Sequence, residues 1–131
     1  VKQLTQDEIL AADDLVTEEV EVPEWDGAVL VRSLRGDERD AYEASIVKGE
    51  GEEAVSDLEN MRAKLCARSI VDADGARMFS DDDIAALGRK SAAGLQRIFM
   101  VARRLSRMTA EDVKELAENF GAGQGGSSPS D

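Results

Sequence analysis

From Ile84 to Met108 the chain runs for 25 residues with six basic side chains and no carboxylate, in a protein of formal net charge −12. Stepping about 100° per residue along a helix, Leu87, Leu95, Ile98, Phe99, Ala102 and Leu105 gather with Ile84 on one side. Arg89, Lys90, Arg97, Arg103, Arg104 and Arg107 gather on the other. A segment patterned in this way must lay one side on a core and offer the other to water or to negative charge. The pattern predicts one amphipathic helix from Ile84 to Met108 as the spine of the fold. Ser80 and the carboxylates Asp81, Asp82 and Asp83 stand where its N-terminus carries partial positive charge.

The flanking segments carry the opposite sign. Residues 1–24 hold eight acidic side chains and one basic, and residues 109–131 hold five and one. Two readings of the basic face follow. It neutralises the acidic N-terminal segment and complements the helix C-terminus. Alternatively, its six cations receive an acidic partner, or the acidic N-terminal segment of a neighbouring copy. An overall charge of −12 repels nucleic-acid backbones and anionic lipid, so a protein partner is expected, with no nucleic acid and no membrane.

Composition removes most chemistry. The chain has no histidine, which excludes Ser-His-Asp triads, Cys-His dyads and His-ligated metals. The single cysteine, Cys66, reads as a small hydrophobe on a helix rather than a nucleophile, and it cannot close an intrachain disulfide. Asp72, Asp74 and Asp83 have the spacing of positions one, three and twelve of a calcium loop. Arg77 stands where that loop needs Gly, so a turn followed by a capped helix is the better account. Five aromatic rings in the whole chain give a sugar site little to stack on. No catalytic residue, cofactor or metal is expected. The N-terminal sequence lacks a signal-peptide pattern and no run is long enough to span a membrane, so an intracellular, reducing compartment is expected.

The rest of the chain alternates short elements. Thr5 and Glu8 form a capping-box pattern opening a helix that ends near Leu15. Val20 and Val22, a Pro23-Glu24-Trp25-Asp26-Gly27 turn and the run from Ala28 to Leu34 predict a β-hairpin in which Gly27 takes positive φ. Asp37 is placed to cap a helix from Glu38 to about Val47, and the following KGEGEE reads as a solvated loop. Val55, Leu58, Met61, Leu65 and Ile70 predict a core helix across residues 54–70. Asp74-Gly75 predicts a tight turn joining Ile70-Val71 to Met78-Phe79. Thr109 to Phe120 predicts a last helix stopped by Gly121. The expected architecture is α+β, predominantly helical with about five helices and short β-hairpins. A single domain covers residues 1–120, and a flexible Gly/Ser-rich tail covers 121–131.

In order, these pieces resemble the tail assembly chaperones of long-tailed bacteriophages and prophages, across roughly residues 8–118. The resemblance rests on VPEW-x-G-x-V-x-VR (Val22 to Arg32), G-x-ERDA (Gly36 to Ala41) and the Arg62 helix leading into V-D-x-D-G-x-x-x-F (Val71 to Phe79). It also rests on LG-x-KSA-x-x-L (Leu87 to Leu95). Within these, Pro23, Trp25, Gly27, Arg32, Gly36, Arg39, Arg62, Asp72, Gly75 and Phe79 stand out as structural motif positions. Asp26 departs from a second glycine common in the family. The resemblance implies a non-enzymatic protein of the host bacterial cytoplasm, absent from the mature virion. It implies binding and solubilising of the tape measure protein and assistance to tail tube polymerisation. The tail tube protein would be engaged through a frameshifted longer form attached at the tail. Self-association is a further expectation. The competing class is a small acidic regulatory module, an antitoxin-like protein or inhibitor that mimics nucleic acid on a basic partner.

Overall fold

A computed structural model of the chain describes residues 1–108. The element order is α1 (Gln6–Ala11), β1 (Thr17–Val22), β2 (Gly27–Arg32), α2 (Gly36–Ser45), β3 (Val47–Lys48), β4 (Val55–Ser56), α3 (Met61–Ser69), β5 (Ile70–Val71), α4 (Ile84–Leu87) and α5 (Ala92–Leu105). The fold is α+β and helix-rich, as its periodicities predict.

The hairpin forms where the alternating valines place it. β1 and β2 pair antiparallel from Thr17 opposite Arg32 to Val22 opposite Gly27. β5 joins the other edge of β2, giving the order β1-β2-β5. The pleat turns Val20 and Val22 toward the core, where α5 crosses the sheet and covers it. α3 packs on α5 and contributes Leu65 and Cys66, and α2, packed on α3, contributes Tyr42, with Ile46 at its C-cap. Buried Leu95, Ile98, Phe99 and Ala102 of α5 fill the space between. Burying side chains of this size is worth roughly 1.5–3 kcal/mol each, so α5 is the main source of core energy.

Several local expectations are corrected. The turn after β1 is a 3-10 turn at Pro23–Trp25, and Asp26, not Gly27, takes the left-handed conformation (φ 54°). Asp and Asn tolerate this region because their short side chains meet their own backbone. Gly27 begins β2 instead. Helix α1 ends at Ala11, short of Leu15. Arg35, not Asp37, is the N-cap of α2, and Asp37 lies in its first turn. The KGEGEE segment is the exposed loop expected, and it closes a small antiparallel ladder in which Val47 faces Ser56 and Lys48 faces Val55. Helix α3 starts only at Met61, because Asn60 is left-handed (φ 56°) and ends any helix approaching from its N-terminal side. Val55 and Leu58 are exposed accordingly.

The spine is broken. A 3-10 turn at Asp81–Asp83 leads into α4, which stops at Leu87. The chain turns through Gly88 to Lys90 and restarts at α5, with the Ser91 hydroxyl accepting from Gly94 N. The apolar phase survives the break because the same side of both helices faces the core. Periodicity therefore suggested one helix where two exist. The turn between β5 and Phe79 is present in reduced form. Val71 bridges Arg77, Met78 N donates to Ile70 O, and Gly75 adopts φ 84°. The final helix expected from Thr109 and the tail at 121–131 lie outside the described residues.

Candidate partner-docking surface

The six cations of the basic segment separate into three environments. Arg97 and Arg104 lie on the outer side of α5, one stripe with Met100, which is 50% exposed. Both are paired within the chain. Arg97 Nε donates to Glu24 Oε1 at 2.9 Å and its Nη2 to Oε2 at 3.2 Å, while Arg104 Nη2 donates to Glu18 Oε2 at 2.7 Å. Glu18 reaches across because strand alternation puts it on the α5-facing side with Val20 and Val22. The hydrogen bond from Arg97 holds the Glu24 carboxyl below its ordinary value, and both partners are solvent-exposed. Exposed pairs of this kind hold little energy and exchange readily with competing carboxylates.

Arg103 sits with its guanidinium carbon 5.3 Å from the centre of the Phe99 ring, and Arg62 of α3 stands 5.6 Å from the same ring. Arg62 Nε also donates to Gln96 Oε1. Phe99 thereby meets two cations, one of which ties α3 to α5. Arg89 and Lys90 occupy the break between α4 and α5, and Arg107 follows α5 in a left-handed conformation (φ 59°). Among the described residues, Arg89, Lys90 and Arg107 are exposed and make no ion pair.

Beside Lys90 lies a groove of about 580 Å³, lined by Trp25, Met78, Phe79, Asp83, Ala86, Leu87 and Lys90. Two motif positions, Trp25 and Phe79, form its apolar walls. Both are half-buried against the core, and the Trp25 indole packs on Gly94, where an added Cβ would sit 3.4 Å from the ring. The sequence marked Trp25 and Phe79 but not Met78, whose 52% exposure is evident only once the turn around Gly75 is built.

The other motif positions are structural joints. Arg32 donates to both oxygens of Glu38 and to Gly75 O. Gly36 starts α2, and Arg39 pairs with Glu43 one turn along it at 2.9 Å. Pro23 opens the 3-10 turn. Asp72 Oδ1 accepts from Asp74 N and Ala76 N, so its carboxylate is spent on the turn. Asp81 is held below its ordinary value by the hydrogen bond from Arg77, and Asp83 Oδ2 accepts from Ser80 N at 2.8 Å. Burial pushes the Cys66 thiol up to about 12. Every one of these groups is committed to the fold.

Residues 9–119 match the family model described as phage tail assembly chaperone. The chain belongs to that family. It is therefore a phage tail assembly chaperone by descent, in a family of assembly proteins rather than catalysts. Among solved structures, the bacteriophage HK97 tail assembly chaperone is similar, at 19% identity and a TM-score of 0.54. The match covers 76% of this chain and 94% of that one, and at this identity it bears on the fold alone. No curated protein matches the chain. Among the described residues no helix is long and apolar enough to cross a membrane, and no three Cys, Asp or Glu side chains gather to hold a metal.

Proposed function

We propose that this chaperone binds the phage tape measure protein, keeps it soluble in the host cytoplasm and assists tail tube subunits to polymerise around it, without entering the virion. The observation that carries this reading is the family match, which spans residues 9–119. The outer stripe of α5 suits the task. A tape measure is a long helical protein with repeated apolar stripes, and Met100 offers an apolar contact between Arg97 and Arg104. Acidic residues on such a partner displace Glu18 and Glu24 at small cost, because the pairs they replace are exposed. Arg103 and Arg107 flank the stripe. The chaperone's own negative charge then keeps the coated assembly dispersed. A longer, frameshifted form extended beyond the tail recruits the tail tube protein.

Co-expression with the cognate tape measure tests this directly. Tape measure that partitions into the soluble fraction only with the chaperone supports the proposal; tape measure equally insoluble with and without it refutes the proposal. The docking stripe is tested by Arg97→Glu with Arg104→Glu and by Met100→Glu. Variants that hold the tape measure soluble at low salt as well as the wild type would remove the stripe from the proposal.

A further inference from the structure

Strand β1 is an open edge of the sheet. The strand order is β1-β2-β5, and among the described residues nothing pairs with β1 on its outer side. The ladder fixes where its backbone groups point. Ser33 N donates to Val16 O at 2.8 Å, so this pair bonds across the hairpin, and in an antiparallel pair of strands every second residue does the same. Glu18, Val20 and Val22 therefore turn their amides and carbonyls toward β2. Thr17, Glu19 and Glu21 turn theirs outward, and no loop or cap of the described residues bonds to them.

The side chains divide in the same way. Glu18, Val20 and Val22 lie on the α5 side, with both valines buried, whereas Thr17, Glu19 and Glu21 are exposed on the opposite face. Glu18 and Glu24 are answered by Arg104 and Arg97. Glu19 and Glu21 make no ion pair among the described residues. Their cross-strand neighbours on β2, Leu30 and Ala28, offer no charge.

A fold that only guards such an edge shortens it, bulges it or sets a proline within it. β1 does none of these. Its six residues pair with β2 in unbroken register, and Pro23 comes only after its end. What the edge has instead is a selective charge. A strand laid against it places side chains directly opposite Glu19 and Glu21, where like charge is repelled and opposite charge attracted. The edge is closed to acidic strands. It is closed equally to the same edge of a second copy, which would set glutamate against glutamate. A basic strand meets both its backbone and its carboxylates.

We infer that β1 receives an extended segment of another protein, with Lys or Arg at alternate positions, as an added strand of the sheet. The N–H and C=O groups of Glu19 and Glu21 bond its backbone, and their carboxylates pair with the two cations opposite. The guest's intervening side chains fall on the α5 side, beside Val20. This goes beyond tape measure binding, which uses the outer stripe of α5, and its failure leaves that reading standing.

A short peptide alternating Lys and Val, blocked at both ends, tests it in a titration of the full chain followed by backbone amide NMR. Shifts are expected to centre on Thr17, Glu19 and Glu21, with slowed exchange of the Glu19 and Glu21 amides. Two N-methylated forms of the peptide, equal in charge, separate strand addition from attraction to an acidic protein. Methylation of the Lys amides, which face β1, abolishes binding; methylation of the Val amides, which face away, preserves it. Glu19→Lys with Glu21→Lys weakens the Lys peptide about tenfold and accepts the corresponding Glu-Val peptide instead. Both positions are exposed, and circular dichroism checks that this variant is folded. A peptide that shifts no β1 amide, N-methylated forms that bind alike, or a charge-reversed chain that holds the Lys peptide as well as wild type each overturns the inference.

Discussion

Arg32 and Glu38 lock the hairpin to the start of α2. The Arg32 Nη2 donates to both Glu38 oxygens at 2.7 Å, and the two side chains are only 11% and 9% exposed. Arg32 Nη1 reaches Gly75 O at 3.1 Å and Glu38 Oε1 accepts from Arg35 N at 2.8 Å, so one pair ties together β2, α2 and the turn after β5. Each polar atom finds a partner, which is what makes a buried pair tolerable.

Breaking that pair on one side strands a charge. Glu38→Gln and Arg32→Ala are each expected to lower stability by about 3–5 kcal/mol, read as the urea midpoint at neutral pH. Arg35→Ala removes the exposed pair with Asp37 and should leave the midpoint within error. Equal effects of the three substitutions would contradict this account.

The two N-caps should respond differently to the same loss. Ser91 caps a packed helix, so Ser91→Ala is expected to cost about 0.5–2 kcal/mol of global stability. Thr5 caps α1, which has no buried residue. Thr5→Ala should instead speed amide hydrogen exchange within Gln6–Ala11 and leave the global unfolding transition in place.

What the chain's pattern reveals and what it hides follow from these same elements. The α1 cap, the hairpin and the apolar side of α5 were legible because each depends on interactions within a few residues or on a simple period. The break at Gly88–Ser91 was hidden because the apolar phase runs through it. Residues 55–58 imitated a helix because Val55, Leu58 and Met61 are spaced by threes, while the left-handed Asn60 that stops α3 leaves no trace in hydrophobicity. The sequence also counted six cations on one face. It could not show that Glu18 and Glu24 already answer two of them, since that pairing depends on how β1 lies across α5. The groove combines residues near 25, 79 and 87, which only the tertiary fold brings together.

Two motif glycines should part company. Gly75 holds φ 84°, so Gly75→Ala is expected to cost about 1–2 kcal/mol. Gly36 lies at the start of α2 with nothing within 4 Å of an added Cβ and no positive φ. Gly36→Ala should stabilise by about 0.4–1 kcal/mol by restricting the unfolded chain. Thermal melts of the two variants beside wild type check both signs. Destabilisation by Gly36→Ala would mean that the start of α2 needs the glycine for the fold in spite of the open space around it.

Alkaline stability has a definite direction. Burial raises Tyr42 from its ordinary 10.0 to about 12 and Cys66 from 9.0 to about 12. Both groups are neutral when protonated, and the unfolded chain releases these protons first. Stability is therefore fully present below about pH 9 and declines from there toward pH 12, as the unfolded state ionises while the folded state resists. At pH 8 the native Cys66 thiol should be unreactive toward a disulfide reagent and become reactive with the kinetics of unfolding. The Tyr42 hydroxyl is buried with no hydrogen-bond partner among the described residues. Leaving such a group unpaired costs about 1–3 kcal/mol. Tyr42→Phe is consequently expected to raise the urea midpoint at neutral pH and to flatten the decline above pH 10, while Cys66 continues to titrate alone. A lower midpoint in Tyr42→Phe would show that the hydroxyl is satisfied after all, by a water or by a residue beyond Met108.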